Sequence, residues 1–177
     1  MKIKSLGWLS GIRHIPSPNF DKRPPHTPIS LLVIHSISLP PDQFGGQGIH
    51  QLFTNRLDPT AHPYYEQIAG LRVSAHFLIR RTGEIVQYVS CLNRAWHAGA
   101  SEWDGRTRCN DFSIGIELEG SDNTPFTEIQ YRRLALLCRK LKRTYPIDNF
   151  AGHADIAPQR KTDPGPYFDW PRFQHSF

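Results

Sequence analysis

Between residues 30 and 36 the chain runs Ser-Leu-Leu-Val-Ile-His-Ser, four apolar residues in succession before an imidazole. A short continuous apolar run predicts a strand buried on both faces, here ending in His35. Residues 112–119 (Phe-Ser-Ile-Gly-Ile-Glu-Leu-Glu) alternate instead. Ile114, Ile116 and Leu118 share one face; Ser113, Gly115, Glu117 and Glu119 share the other. A strand face bearing glutamates is ordinarily solvated, while Gly115 removes bulk beside Glu117 and lets another group approach. Residues 75–80 and 84–89 flank Arg81-Thr82-Gly83, which predicts a hairpin with glycine in its turn.

At 127–143 the period becomes helical. Tyr131, Leu134, Cys138 and Leu141, widened by Leu137, form one apolar stripe. Thr127 and Gln130 have the spacing of a capping box, and Pro146 stops the helix. Shorter helices are predicted around 47–54 and 168–173, the second with Asp169 as cap and Pro171 in its first turn. Residues 1–29 hold five prolines and read as an extended arm, pinned by Trp8 and Ile15. Residues 30–177 form the domain on which that arm packs.

Composition narrows the function classes. A chain of 177 residues fits one domain with a real core. The formal net charge of +5 favours anionic partners in a general way. No run of five basic residues and no nucleic-acid motif accompanies it, so no nucleic-acid partner is expected. Arg139-Lys140 and Lys142-Arg143 sit where positive charge complements a helix C-terminus. The three cysteines, Cys91, Cys109 and Cys138, contain no C-x-x-C pair, which argues against a disulfide framework and a thiolate zinc cage. Neither a signal peptide nor a membrane span is expected, and reduced thiols fit a cytoplasmic location.

The chemistry concentrates in residues 152–166. Three prolines and two glycines constrain a segment that carries His153, Lys161 and Asp163. Proline limits the residue before it, so Asp163 ahead of Pro164 has few orientations open. Hydrolytic zinc takes three ligands from His, Asp and Glu and keeps one position for water. His35, His153 and Asp163 could supply that set, but nine histidines offer many triplets and spacing does not choose among them. Trp96-His97, between small neighbours, reads as a surface that packs against a ligand. The irregular stretch 37–63, leading to Tyr64, reads as a binding loop.

Several separated stretches together carry a resemblance. They are His35 after its apolar strand, Trp96-His97, Ser113–Glu119, and Gly152-His153 followed by Lys161-Thr162-Asp163-Pro164-Gly165. In that order they resemble the zinc-dependent N-acetylmuramoyl-L-alanine amidases. Arg72–Phe77, Arg108–Phe112 and Asp155–Pro158 resemble the cytosolic AmpD-type branch, the 1,6-anhydro-N-acetylmuramoyl-L-alanine amidases. The resemblance covers roughly residues 8–173.

It implies an α/β fold: a single domain with a central mixed β-sheet flanked by helices and a zinc site at one edge of the sheet. It implies His35, His153 and Asp163 as ligands of Zn2+, Glu117 as general base and Lys161 as the cation near a developing oxyanion. The implied reaction cleaves the amide between the lactyl group of (1,6-anhydro-)N-acetylmuramic acid and L-alanine, in cell-wall recycling. Arg72 and Arg108 are expected to hold substrate carboxylates, with Trp96 and His97 lining the sugar or lactyl end and Tyr64 as a candidate wall in the long loop. Ser36 stands where the branch usually has Asn, so one substrate contact is expected to be weaker or water-mediated. A monomer with a small-molecule muropeptide substrate is expected. The competing expectations are an endolysin-type amidase acting on intact peptidoglycan and a non-catalytic muropeptide-binding module.

Overall fold

A computed structural model describes residues 2–176. The strands are β1 Arg13–His14, β2 Phe20–Lys22, β3 Leu31–Ile37, β4 Phe77–Ile79, β5 Ile85–Gln87, β6 Asn93–Ala95, β7 Glu102–Trp103, β8 Arg106–Thr107, β9 Ser113–Glu119 and β10 Asn149–Gly152. The α-helices are α1 Gly48–Phe53, α2 Pro63–Gln67, α3 Glu128–Lys142, α4 His153–Ile156 and α5 Trp170–Gln174.

The main sheet has the order β1-β5-β4-β9-β3-β10. Only the β4–β5 pair is antiparallel, which makes the sheet mixed as expected. That pair is the predicted hairpin, turned at Gly83 with a φ of +84° that favours glycine. The parallel strands β4, β9, β3 and β10 carry the site described below.

Alternation decides what each sheet face meets. Leu32 and Ile34 of β3, Ile114, Ile116 and Leu118 of β9, and Phe77 and Ile79 of β4 enter the largest apolar cluster. The α3 stripe, Tyr131, Leu134, Leu137, Cys138 and Leu141, enters the same cluster, with Phe173 of α5. Helix α3 starts as its sequence predicts: the Thr127 hydroxyl accepts from the Gln130 N–H and Gln130 reaches back to the Thr127 N–H. The last helix begins at Trp170, capped as expected by Asp169, whose carboxylate accepts from the Arg172 N–H at 2.9 Å.

The opposite face carries two smaller clusters. One joins Leu31, Val33, Ala98, Cys109, Phe112, Ala151 and Ile156. The other joins α1 and α2 to β4 and β5 through Leu52, Phe53, Tyr65, Leu78 and Val86. Every residue of β9 is therefore buried, and its glutamate-bearing face is not solvated.

The N-terminal residues do more than lie along the surface. β1 extends the main sheet beside β5, and β2 pairs with β6. Ile15 is half-buried against the α1/α2 cluster, as expected of a pin. Leu9 rather than Trp8 enters the core, because neighbouring extended residues point to opposite sides. Arg23 donates to the carbonyls of Cys91, Asn110, Asp111 and Ser113 at 2.7–3.2 Å. The three cysteines are free and buried. Among the described residues no helix is long and apolar enough to cross a membrane.

Candidate active site

Strand register brings the site together. His35 of β3 stands opposite Glu117 of β9, and Ile34 stands opposite Gly152 at the end of β10. The next residue along each chain places His153 beside His35. Glu117, His35 and His153 thus form one row across β9, β3 and the start of α4, where β10 ends. Asp163 is returned to that row by its backbone, whose carbonyl accepts from the Ala154 N–H at 2.8 Å.

Three donor atoms converge. His35 Nδ1 lies 3.0 Å from His153 Nδ1, and each lies 3.1 Å from Asp163 Oδ2. The other ring nitrogens are occupied: His153 Nε2 lies 3.1 Å from the Ala98 carbonyl, and His35 Nε2 lies 2.9 Å from His97 Nδ1. These three residues can hold a metal ion. In a tetrahedral site with bonds of ~2.0–2.1 Å, neighbouring ligand atoms stand ~3.3 Å apart, so the triangle fits zinc with little adjustment. A set of two imidazoles and one carboxylate is also the open, hydrolytic kind and not the closed cysteine-rich kind.

Electrostatics agrees with a cation-ready site. Burial drives the His35 pKa down to about 4, so the ring is neutral and can offer a lone pair. Burial acts to raise the Asp163 carboxyl, but its close contacts with His153 and His35 outweigh it and hold that carboxyl well below its usual range. Burial, and then the nearby Asp163, push the Glu117 carboxyl well above its usual range; Lys161 pulls the other way. Glu117 Oε2 is buried and has no hydrogen-bond partner. A buried, unpartnered carboxyl oxygen is costly to keep and is a mark of a working group.

The cleft above this row has a volume of about 280 Å³. His35, Glu117, His153, Lys161 and Asp163 line it, as do Ser36, Tyr64, Trp96 and His97. Nine of the eleven residues singled out from the sequence therefore meet in one cavity. Arg72 and Arg108 do not line it. Arg72 is exposed between Leu71 and Val73, which do. Arg108 is exposed, with a left-handed backbone and its Nε 3.4 Å from Asp111. An apolar wall of Leu52 and Phe53 at the end of α1, with Ile68, Leu71 and Val73, went unread in the sequence, since a helix this short and scattered apolar residues in irregular segments do not say which surface they face. Asn110 and Arg160, which brace the 97–98 segment, were equally hidden, because nothing in their spacing points to it.

Residues 25–166 match the N-acetylmuramoyl-L-alanine amidase family. The chain belongs to that family. As a member of it, the protein is an amidase. Among its relatives is the 1,6-anhydro-N-acetylmuramyl-L-alanine amidase AmpD of Salmonella typhimurium strain SL1344. It is 61% identical over 174 residues, which cover 97% of this chain and 93% of that one. A crystal structure of a selenomethionine AmpD derivative superposes with a TM-score of 0.96 at 58% identity, covering 99% of both chains. The Escherichia coli amidase AmiD, solved with anhydro-N-acetylmuramic acid-L-Ala-D-γ-Glu-L-Lys, is 33% identical with a TM-score of 0.61. That match covers 88% of this chain and 60% of AmiD. The AmpD-type resemblance read from separated motifs is borne out by these amidase relatives.

Proposed function

We propose that this amidase is a zinc enzyme of the cytoplasm that cleaves the lactyl–L-alanine amide of anhydro-muropeptides during cell-wall recycling. The observation that carries the reading is the unpartnered Glu117 oxygen in the same cleft as three converging donors. The AmpD and AmiD relatives support the substrate class.

His35, His153 and Asp163 would hold the zinc. When bound, zinc polarises the scissile carbonyl and makes water acidic enough to attack at neutral pH. Glu117 takes the proton of the attacking water and returns it to the leaving nitrogen of L-alanine as the C–N bond breaks. The products are the lactyl carboxylate and a free peptide amine. Lys161 lines the same cleft and offers an ammonium to the oxyanion, an effect commonly worth ~3–4 kcal/mol. Trp96, His97 and Tyr64 present ring surface to the sugar and lactyl end, and Ser36 offers a short hydroxyl. Arg72 and Arg108, both exposed, receive peptide carboxylates outside the cleft, where bidentate guanidinium contacts suit them. The working unit is a monomer.

The test is mass-spectrometric turnover of purified anhydro-muramyl-tripeptide with and without chelator. Release of free peptide and anhydro-sugar, lost with chelator and restored by zinc, is the expected result. A zinc-loaded protein that leaves this substrate intact and digests intact sacculi would overturn the recycling assignment.

A further inference from the structure

Metal-binding imidazoles need more than proximity: each must keep its metal-facing nitrogen free of a proton, and its other nitrogen decides that. In this protein both decisions fall to two consecutive residues. The His97 ring faces His35 Nε2 with its Nδ1 at 2.9 Å. The Ala98 carbonyl faces His153 Nε2 at 3.1 Å. A carbonyl can only accept, so His153 must carry its proton on Nε2 to make this bond. His97 has its own outlet, since its Nε2 lies 3.3 Å from Ser113 Oγ. A proton on His97 Nε2 leaves Nδ1 to accept from His35, which in turn bares His35 Nδ1.

The segment is braced from four directions. Asn110 Oδ1 accepts from the His97 N–H at 3.2 Å and from the Ala98 N–H at 2.9 Å. Arg160 donates to the Ala98 carbonyl and to the Ala100 carbonyl, both at 2.8 Å. Ser74 Oγ accepts from the Trp96 N–H at 3.1 Å. Beneath the ring, a Cβ on Gly115 would lie 2.6 Å from His97 Nδ1 and Cδ2, so only glycine lets the imidazole settle on β9.

We infer that His97–Ala98 is a positioning segment. It sets the tautomer and orientation of both candidate ligand histidines, with Asn110 and Arg160 as its supports. The inference rests on the proposed metal site but assigns His97 a task distinct from touching substrate. Asn110, held from its own backbone by Arg23, acts through the segment and never meets the metal position.

The experiment compares wild type with His97→Phe, His97→Gln, Asn110→Ala and Arg160→Met. Zinc affinity is read by chelator competition, and histidine tautomers by long-range proton–nitrogen-15 NMR of the zinc-free protein. His97→Phe and Asn110→Ala are expected to weaken zinc by roughly 10–100-fold. His97→Gln, whose amide oxygen still accepts, recovers most of that loss. Arg160 is exposed, so Arg160→Met folds. It is expected to disturb the His153 signals and leave those of His35 in place, a selectivity that general destabilisation would not produce. Zinc affinity within about twofold of wild type in both Asn110→Ala and His97→Phe overturns the inference. So do unchanged tautomers in Arg160→Met and Asn110→Ala, which decide the matter if His97→Phe does not fold. A wild type that takes up no zinc, yet shows the Nε2–H tautomers and loses them in Arg160→Met and Asn110→Ala, overturns the metal reading and keeps the positioning segment.

Discussion

Two glutamates on one face of β9 show how little residue type says by itself. Glu119 is satisfied: one oxygen accepts from Arg80 at 3.1 Å and from the Gly45 N–H at 2.7 Å, the other from the Arg81 N–H at 3.0 Å. Glu117, two residues earlier, has an oxygen with no partner. The first glutamate closes a buried network; the second keeps an oxygen free for the general-base role proposed above. Glu117→Gln is therefore expected to keep zinc and cut kcat by roughly 10²–10⁴-fold, read from turnover against metal content. Near-normal kcat in a zinc-loaded variant would remove Glu117 from the reaction. Glu119→Ala should behave differently. It strands the buried Arg80 guanidinium and is expected to cost about 3–5 kcal/mol in urea unfolding, since breaking one half of a buried pair leaves a bare charge.

At the scale of elements, the two faces of the sheet divide stability from chemistry. Helix α3 packs on the face opposite His35 and Glu117, and its N-cap touches nothing in the cleft. Thr127→Ala is expected to lower unfolding free energy by about 1 kcal/mol and leave kcat and zinc affinity as they are. A variant with normal stability and impaired turnover would show that the two faces are linked. Around the site, the two long strands β3 and β9 are joined by short and irregular elements. Periodicity announced β3, β9, the β4–β5 hairpin and α3, because each buries a regular stripe. It was silent on the wall of the cleft, where Leu52 and Phe53 end the short helix α1 and Ile68, Leu71 and Val73 come from turns with no repeat. It also misread the environment of the β9 glutamates, since a strand cannot announce what loops will cover it.

For the whole molecule, the site is a meeting of distant segments. His35 and Asp163 lie 128 residues apart in the chain and 3.1 Å apart in space. Zinc held by these three donors would bind the folded state and not the unfolded chain, in which they are scattered. Zinc is therefore expected to stabilise folding by about 4 kcal/mol at a thousandfold excess over Kd. Calorimetry of the chelated and reloaded protein reads this directly, and an unfolding temperature indifferent to zinc would contradict it. The sequence alone determined the regular elements, because hydrophobic period and caps are local properties. It also supplied the chemical groups and, through motifs in a recognisable order, the family. Composition and spacing did not determine which three of nine histidines and sixteen acidic residues would converge; only the family resemblance implied them. Nor did the sequence determine that His97 would face His35 rather than only substrate, or that Arg72 and Arg108 would stand outside the cleft. Those outcomes depend on strand register and on loop paths. A shift of one residue between β3 and β9 would turn Glu117 away from His35, and no local preference sets that register; packing across the whole sheet does.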